Sequence, residues 1–341
     1  MSGHDAARAW ADRLWRAVVA GDEAAAADTA FAALEAGLPA EDVLLDVVGA
    51  VQRRVGDAWA ANRVTVADEH AATAINNRVI SAVAAHPAAP RPGPPRGRIT
   101  AACADGEWHA LPARLLVEVL RLRGWRVDDL GAQVPVPHLV EHLLGTGPDA
   151  VALSTSLATR LPAAHEAVIA CQATGVPVLV GGAAFGWDGR YARLFGADLW
   201  FPDARAAADR LDEGPLPRPA SDHRATDDLP HLADREHLRM TRAAAGLVRE
   251  AVETARTADG PPPPAERVAT LLDFLAAALY TDDDDLFTGY LTWTTDVLTA
   301  RGEDTAHLPD VVALLRRRLD DLPRARRILT RGAEALSGPR P

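Results

Sequence analysis

Residues 98–112 read Arg98-Ile99-Thr100-Ala101-Ala102-Cys103-Ala104-Asp105-Gly106-Glu107-Trp108-His109-Ala110-Leu111-Pro112. A short apolar run stops at an Asp-Gly turn, and an amphipathic helical pattern starts at Leu111. An apolar run too short for a helix and bounded by turn residues is a strand buried on both faces. Four more such runs follow, at 126–130, 150–154, 176–180 and 199–201, each separated from the next by a helical stretch. Five βα units imply a doubly wound parallel sheet, whose ligand sits outside the carboxyl ends of the strands.

On either side the rhythm changes. Residues 4–85 are rich in alanine, with apolar positions at helical spacing and breaks at Gly21-Asp22, Gly37-Leu38-Pro39 and Asn62-Arg63. This predicts about four helices joined by short connections. Residues 231–337 are again helical, broken by Gly260 with Pro261 to Pro264, by the acidic turn 282–285 and by Gly302. Proline-rich seams at 86–96 and 214–230 separate the segments. The expected organisation is a four-helix bundle over 1–88, an α/β domain over 97–213 and an all-helical domain over 231–337. No internal repeat relates the two helical ends.

Composition narrows the function classes. The chain has 341 residues, too many for one hydrophobic core. Its 36 Lys+Arg against 47 Asp+Glu give a formal net charge of −11, which repels a phosphate backbone and argues against nucleic acid as a partner. All 36 basic residues are arginine, so phosphate-binding loops of the lysine type and Schiff-base chemistry are excluded. Cys103 and Cys171 each lie in an apolar segment and make neither a disulfide framework nor a thiolate cluster. With no apolar run of about 18 residues and no apolar leader, the expectation is a soluble cytoplasmic protein with no membrane partner.

The first βα loop carries Glu107 and His109 at the sheet's carboxyl edge. A neutral imidazole binds transition metals, and a carboxylate two residues earlier can hold its other ring nitrogen, fixing the tautomer. Taken alone, a histidine beside a turn reads as a solvated residue. Its company changes that reading, because the third strand ends in Ser154-Thr155-Ser156-Leu157 and the fourth in Gly181-Gly182. Small and hydroxyl residues there line a slot where a large ligand tail can approach the backbone.

Together, Glu107-x-His109-x-x-Pro112, Ser154-x-Ser156-Leu157 and Gly181-Gly182 resemble the cobalamin-binding domain family over essentially all of 97–213. The resemblance implies a flavodoxin-like cobalamin-binding fold. In it His109 replaces cobalamin's own benzimidazole as lower axial ligand of the cobalt, and the nucleotide tail enters beside Ser154, Ser156, Leu157, Gly181 and Gly182. Pro112 stands where the family has glycine.

In the helical segment ahead, Leu44, Val48, Val51, Val55 and Trp59 form one stripe, and Thr65 with Asp68 has the spacing of a capping box for the next helix. Periodicity alone makes Trp59 a core residue and Glu69-His70 a solvated helix start. The spacing Trp59, nine residues, Glu69-His70 resembles the signature of light-sensing adenosylcobalamin proteins of the bacterial carotenoid-regulator type. That resemblance implies that Trp59 covers the adenosyl group and that Glu69 and His70 shape the pocket around its ribose. Ala60 stands where carotenoid-type members have a second histidine, which leaves a bis-histidine photoproduct open. Those regulators also carry a winged helix ahead of the bundle, for which this chain leaves no room, so output is expected by another route.

The C-terminal segment places Phe274, Leu275, Leu279, Leu286, Phe287, Tyr290, Trp293 and Val297 at helical spacing, the pattern of an amphipathic core. The cobalamin-plus-helical-tail architecture resembles the photocobilins, which add a bilin in a globin-like domain. That resemblance implies a non-covalent biliverdin packed by Tyr280, Tyr290 and Trp293, since no cysteine follows Cys171. His231, His237 and His307 are the alternative, as haem ligands. The expectation is a non-enzymatic photoreceptor. It is expected to form a homo-oligomer whose assembly depends on light and to signal to an unidentified downstream protein. A methyl-carrying corrinoid subunit and a dark cobalamin sensor are the rivals.

Overall fold

The computed structural model describes residues 3–90, 93–217, 229–256 and 263–337. Parts of both proline seams and the break at 260–262 lie outside the described residues. The chain forms two compact units, Met1–Ser221 and Asp222–Pro341, and the helical bundle and the sheet pack together within the first. No described helix is long and apolar enough to cross a membrane.

The bundle consists of α1 (Gly3–Val19), α2 (Glu23–Glu35), α3 (Ala40–Asp42) running through a π-helical segment (Val43–Val48) into α4 (Gly49–Ala60), and α5 (Val66–Ala85). The breaks fall where the sequence places them. Gly21 takes φ +70°, and Asp22 caps α2 by accepting from the Ala25 N–H at 2.9 Å. Thr65 and Asp68 close the expected capping box on α5. The π segment was not foreseen. It keeps Val43, Leu44, Val47 and Val48 buried, as a continuous α-helical stripe would, but widens the backbone at a place that the site uses.

The second layer contains β1 (Arg98–Cys103), α6 (Leu111–Leu122), β2 (Arg126–Asp129), α7 (Val136–Thr146), β3 (Ala150–Ser154), α8 (Leu161–Gln172), β4 (Val178–Gly181), α9 (Arg190–Leu194), β5 (Leu199–Phe201) and α10 (Ala204–Glu213). All five strands are parallel, in the order β2-β1-β3-β4-β5. The expected fourth strand, 176–180, is displaced to Val178–Gly181. Pro177 has no N–H for the ladder and only accepts, from Val151 N at 3.0 Å. Cys103 pairs with Ser154, Ser154 with Gly181, and Gly181 with Phe201, so the strand ends form one row across the carboxyl edge. The strand order reverses between β1 and β3, which puts the His109 loop and the Ser154 loop on either side of the switch point.

Ion pairs seat the bundle on the sheet layer. Arg123, the C-cap of α6, grips Glu41 with two bonds of 2.8 Å and also reaches Asp209 and Asp212 of α10. Arg205 of α10 meets Glu41, Asp42 and Asp46. A planar guanidinium forked onto carboxylates from two elements fixes orientation as well as distance. The second unit holds α11 (Pro230–Asp234), α12 (Glu236–Arg256), α13 (Ala265–Thr281), α14 (Asp284–Ala300), α15 (His307–Arg318) and α16 (Pro323–Ser337). The acidic turn is a helix junction: Asp282 takes φ +56° after α13, and Asp283 accepts from Asp285 N at 2.9 Å to start α14.

Candidate functional site

Glu107 organises the site. Its side chain is 0% exposed, yet all of its acceptor capacity is used. One oxygen accepts from the backbone N–H of His109 (2.9 Å) and lies 2.6 Å from His109 Nδ1; the other accepts from the N–H groups of Ser156 (2.7 Å) and Leu157 (2.9 Å). Burial alone would raise the Glu107 pKa, but the donors from His109, Leu157 and Ser156 outweigh it and hold the carboxyl down at about 2. An ionised carboxylate only accepts, so His109 Nδ1 carries a ring proton, and in the neutral ring the lone pair is the one on Nε2. The imidazole is one-third exposed at the carboxyl edge of the sheet. This single carboxylate ties the loop after β1 to the loop after β3, bringing Glu107, His109, Ser156 and Leu157 together. Ser156 and Leu157 take part through their backbone.

Beside this loop, a cavity of about 510 Å³ runs from the strand ends into the layer between the sheet and the bundle. Ser154, Ser156, Gly181 and Gly182 line its strand side, Ile99 and Leu179 are among its apolar lining, and Gln52 and Arg53 face it from α4. Gly182 takes φ +103°, and a Cβ there would stand 2.3 Å from the Thr155 carbonyl oxygen. Only glycine lets the two strand ends approach this closely. The π segment contributes Leu45 and Asp46 to the opposite wall.

At the end of the bundle, Trp59 lies on the last turn of α4, half-buried, and Glu69 and His70 on the first turns of α5, with 61–65 between the helices. His70 Nδ1 lies 2.9 Å from the Val66 carbonyl and 2.8 Å from Glu69 Oε2. A carbonyl only accepts, so this nitrogen carries the proton and donates to Val66, with the Glu69 carboxylate at ion-pair distance beside it. Sequence reasoning missed two features here. Trp108 stacks on His109 with ring centroids 3.9 Å apart and also lies 6.5 Å from His70; its place between Glu107 and His109 was the available signal. Gln52, Thr73 and Asn76 form a polar chain ending on Glu69. Its signal was polar residues at 69, 73 and 76, one helical face.

In the second unit the aromatics divide into two clusters. Tyr280 is buried and stacks on His231 at 4.0 Å, with His237 edge-on to both. Tyr290 is also buried and stacks on Phe274 at 3.9 Å, with Trp293 at 6.5 Å and 48% exposed. Tyr280, Tyr290 and Trp293 thus fall in two sets, Tyr280 with His231 and His237, and Tyr290 with Phe274 and Trp293. Among the described residues, no group of three or more His, Cys, Asp or Glu is arranged to hold a metal.

Burial foremost, then His237 and Arg324, hold the His231 pKa down at about 4 from its ordinary 6.5. The fold thus favours the neutral ring, and its stabilising contribution is complete above pH 6.5 and lost as pH falls toward 4. Urea unfolding of the second unit's signal should lose about 2 kcal/mol across that window, after allowance for partial exposure. His231→Phe, which keeps the stack on Tyr280, should make the dependence shallower; an unchanged slope would assign it elsewhere.

Comparison with known proteins places these features. Two family models, each described as a B12 binding domain, match residues 10–84 and 97–212. The HTH-type transcriptional repressor CarH of Myxococcus xanthus is 33% identical over 185 residues, covering 52% of this chain and 59% of that protein. Dimethylamine corrinoid protein 1 of Methanosarcina acetivorans is 26% identical over 121 residues, covering 34% of this chain and 56% of that protein. The chain thus spans less than two thirds of the length of either relative. The solved monomethylamine corrinoid protein of Methanosarcina barkeri shares the fold, with TM-score 0.50 and 21% identity over 60% of this chain and 97% of its own. The C-terminal helices lie beyond the residues matched by the two models.

Proposed function

From a chain that carries both parts of a B12-binding module, we propose a non-enzymatic light sensor that holds adenosylcobalamin between the bundle and the sheet. One observation carries this reading: His109 donates its Nδ1–H to Glu107, which in the neutral ring leaves Nε2 free for a metal, and a cavity whose size and apolar lining suit a nucleotide tail is lined by Leu111 and Pro112 just after it and by Ser156. A lone imidazole with a buried carboxylate behind it is the donor set of an axial ligand, the carboxylate fixing ring orientation and raising basicity. When bound, adenosylcobalamin supplies a light-labile cobalt–carbon bond under the bundle.

The residues divide the work. His109 holds the lower side, and Ser154, Ser156 and Gly182 admit the tail. Trp59, Glu69 and His70 make the contacts that differ between the adenosyl form and the form without it, and differential contact is what any switch requires. The likeness to a transcriptional repressor favours a regulatory output. The net charge of −11 favours output through subunit contacts and a downstream protein over nucleic acid. The rival, a methyl-carrying corrinoid subunit, needs an upper face open to donor and acceptor. The Glu69–His70 pair and the half-buried Trp59 at that end of the bundle favour a covered one.

The second unit is included in the proposal as a helical domain of globin-like type for a non-covalent bilin. The support is the pair of buried tyrosines together with the absence of cysteine after Cys171. Reconstitution in the dark with adenosylcobalamin and, separately, methylcobalamin, followed by illumination with spectra and mass in solution, tests the sensor. A light-dependent change in assembly or structure specific to the adenosyl form is expected; methyl transfer without such a change would discard the reading. Titration with biliverdin should give a discrete spectral shift, and its absence would remove the bilin.

A further inference from the structure

Four side chains from α4 and α5 form a hydrogen-bonded ladder that runs in one direction. Asn76 Nδ2 donates to Gln52 Oε1 at 2.7 Å, Gln52 Nε2 donates to Thr73 Oγ1 at 2.7 Å, and the Thr73 hydroxyl donates to Glu69 Oε1 at 2.8 Å. The direction is set by its end. A carboxylate only accepts, so Thr73 must give Glu69 its proton and turn its lone pairs to Gln52; Gln52 then has only its carbonyl left for Asn76. Both amide orientations follow from that one charge.

The arrangement has a cost, which is informative. Asn76 is fully buried, and its Oδ1 has no hydrogen-bond partner. An apolar contact between α4 and α5 would avoid the orphan, as Val51, Val55, Ile75 and Val79 do on the same helices. Buried polar chains of this kind specify an orientation more than they add stability, and each bond polarises the next. The orientation specified here is that of Glu69, whose Oε1 is fixed by Thr73 while Oε2 lies at ion-pair distance, 2.8 Å, from His70 Nδ1. With Oε1 anchored by Thr73 and one quarter of the side chain exposed, Glu69 has lone pairs left to offer a ligand in a fixed direction.

We propose that Gln52, Thr73 and Asn76 are positioning residues that aim the Glu69 carboxylate at a vicinal diol, the ribose hydroxyls of the upper ligand, and so set the preference for an adenosyl over a methyl corrinoid. The proposal rests on the light-sensor reading of this site and deepens it. A ladder that only pinned α4 to α5 would affect all corrinoids alike. One that aims Glu69 affects only the ligand that carries hydroxyls.

The test uses the full chain in the dark, with affinities for adenosylcobalamin and methylcobalamin measured side by side. Thr73→Val keeps the shape and removes the hydroxyl; it should weaken adenosylcobalamin about tenfold and leave methylcobalamin within about twofold. Thr73→Ser should restore the preference, with melting curves showing that each variant folds. Equal weakening of both ligands, or an unchanged preference in Thr73→Val, overturns the ladder's role. Glu69→Ala separates the two levels. If it abolishes the preference and Thr73→Val does not, the ladder fails and the site reading stands. If the unaltered chain shows no adenosyl preference, both fall.

Discussion

Replacing Glu107 with alanine is expected to unfold the loop between β1 and α6 and to abolish histidine ligation together. The carboxylate is fully buried and accepts from three backbone N–H groups and one imidazole. Hydrogen bonds to a charged group are worth about 1.5–3 kcal/mol each, and donors left unsatisfied in the interior cost about 1–3 kcal/mol. Allowing for relaxation and water entry, Glu107→Ala should lose about 4 kcal/mol. That corresponds to a fall in the melting temperature of the first unit of about 8–16 °C.

Glu107→Gln separates stability from ligation. The amide oxygen can still accept from Ser156 and Leu157 while the His109 backbone N–H loses its acceptor, so the loss should be about 2–3 kcal/mol. Its NH₂ group then faces His109 Nδ1, which can remain paired only by giving up its proton and accepting. The ring proton moves to Nε2, and the lone pair that would meet a metal is gone. The variant should fold, keep the cavity and bind cobalamin at least tenfold more weakly (about 10–100-fold), without a histidine-ligated spectrum. A glutamine variant with the original spectrum would show that the carboxylate does not set the tautomer.

Gly182→Ala is expected to be nearly as damaging, for a steric reason. The added Cβ would stand 2.3 Å from the Thr155 oxygen, 2.8 Å from its carbonyl carbon and 3.0 Å from its nitrogen. Those atoms are backbone and cannot step aside: Thr155 N donates to Gly181 O at 3.0 Å, and Thr155 O accepts from Ala184 N at 3.1 Å. Strain at φ +103° and overpacking each cost about 1–3 kcal/mol, so the sum should reach on the order of 3 kcal/mol and lower the melting temperature by about 6–12 °C. Gly181→Ala is the internal control. Its Cβ meets only the Phe201 carbonyl at 3.4 Å, without a positive φ, and should cost less than about 1 kcal/mol. Equal losses in the two variants would mean that the close approach at Gly182 is not what the loop depends on.

What was legible in the sequence, and what was not, follows from the range of the forces involved. Helix breaks at Gly21-Asp22 and Asn62-Arg63, the Thr65–Asp68 capping box and the five strands are local, each set by residues within one turn or one run of the chain. The Glu107–His109 pair was legible for the same reason, two residues apart in one loop. The bonds from Ser156 and Leu157 to Glu107 span about fifty residues, and no local pattern announces them. The π segment escaped because the apolar spacing from Val43 to Val48 suits an α-helix as well. The Gln52–Thr73 contact joins two helices and reads, on either alone, as a solvated polar residue. In the second unit helical periodicity located Tyr290 on a buried face but also counted Trp293, which is 48% exposed, and it could not say which neighbour each aromatic would meet; α13 pairs Tyr280 with His231 and α14 pairs Tyr290 with Phe274.

The claim that everything else depends on is that one histidine nitrogen meets the cobalt. Electron paramagnetic resonance of the cobalt(II) form of the loaded full chain reads the axial nitrogen directly, because its nuclear spin splits each cobalt line. With unlabelled protein and unlabelled cobalamin the lines should be triplets, and protein grown on ¹⁵N-histidine should convert them to doublets. Doublets that appear in ¹⁵N-histidine protein and vanish in His109→Ala would place that nitrogen at position 109. Triplets that persist in the labelled protein would leave the cofactor's own base on the metal and contradict the account.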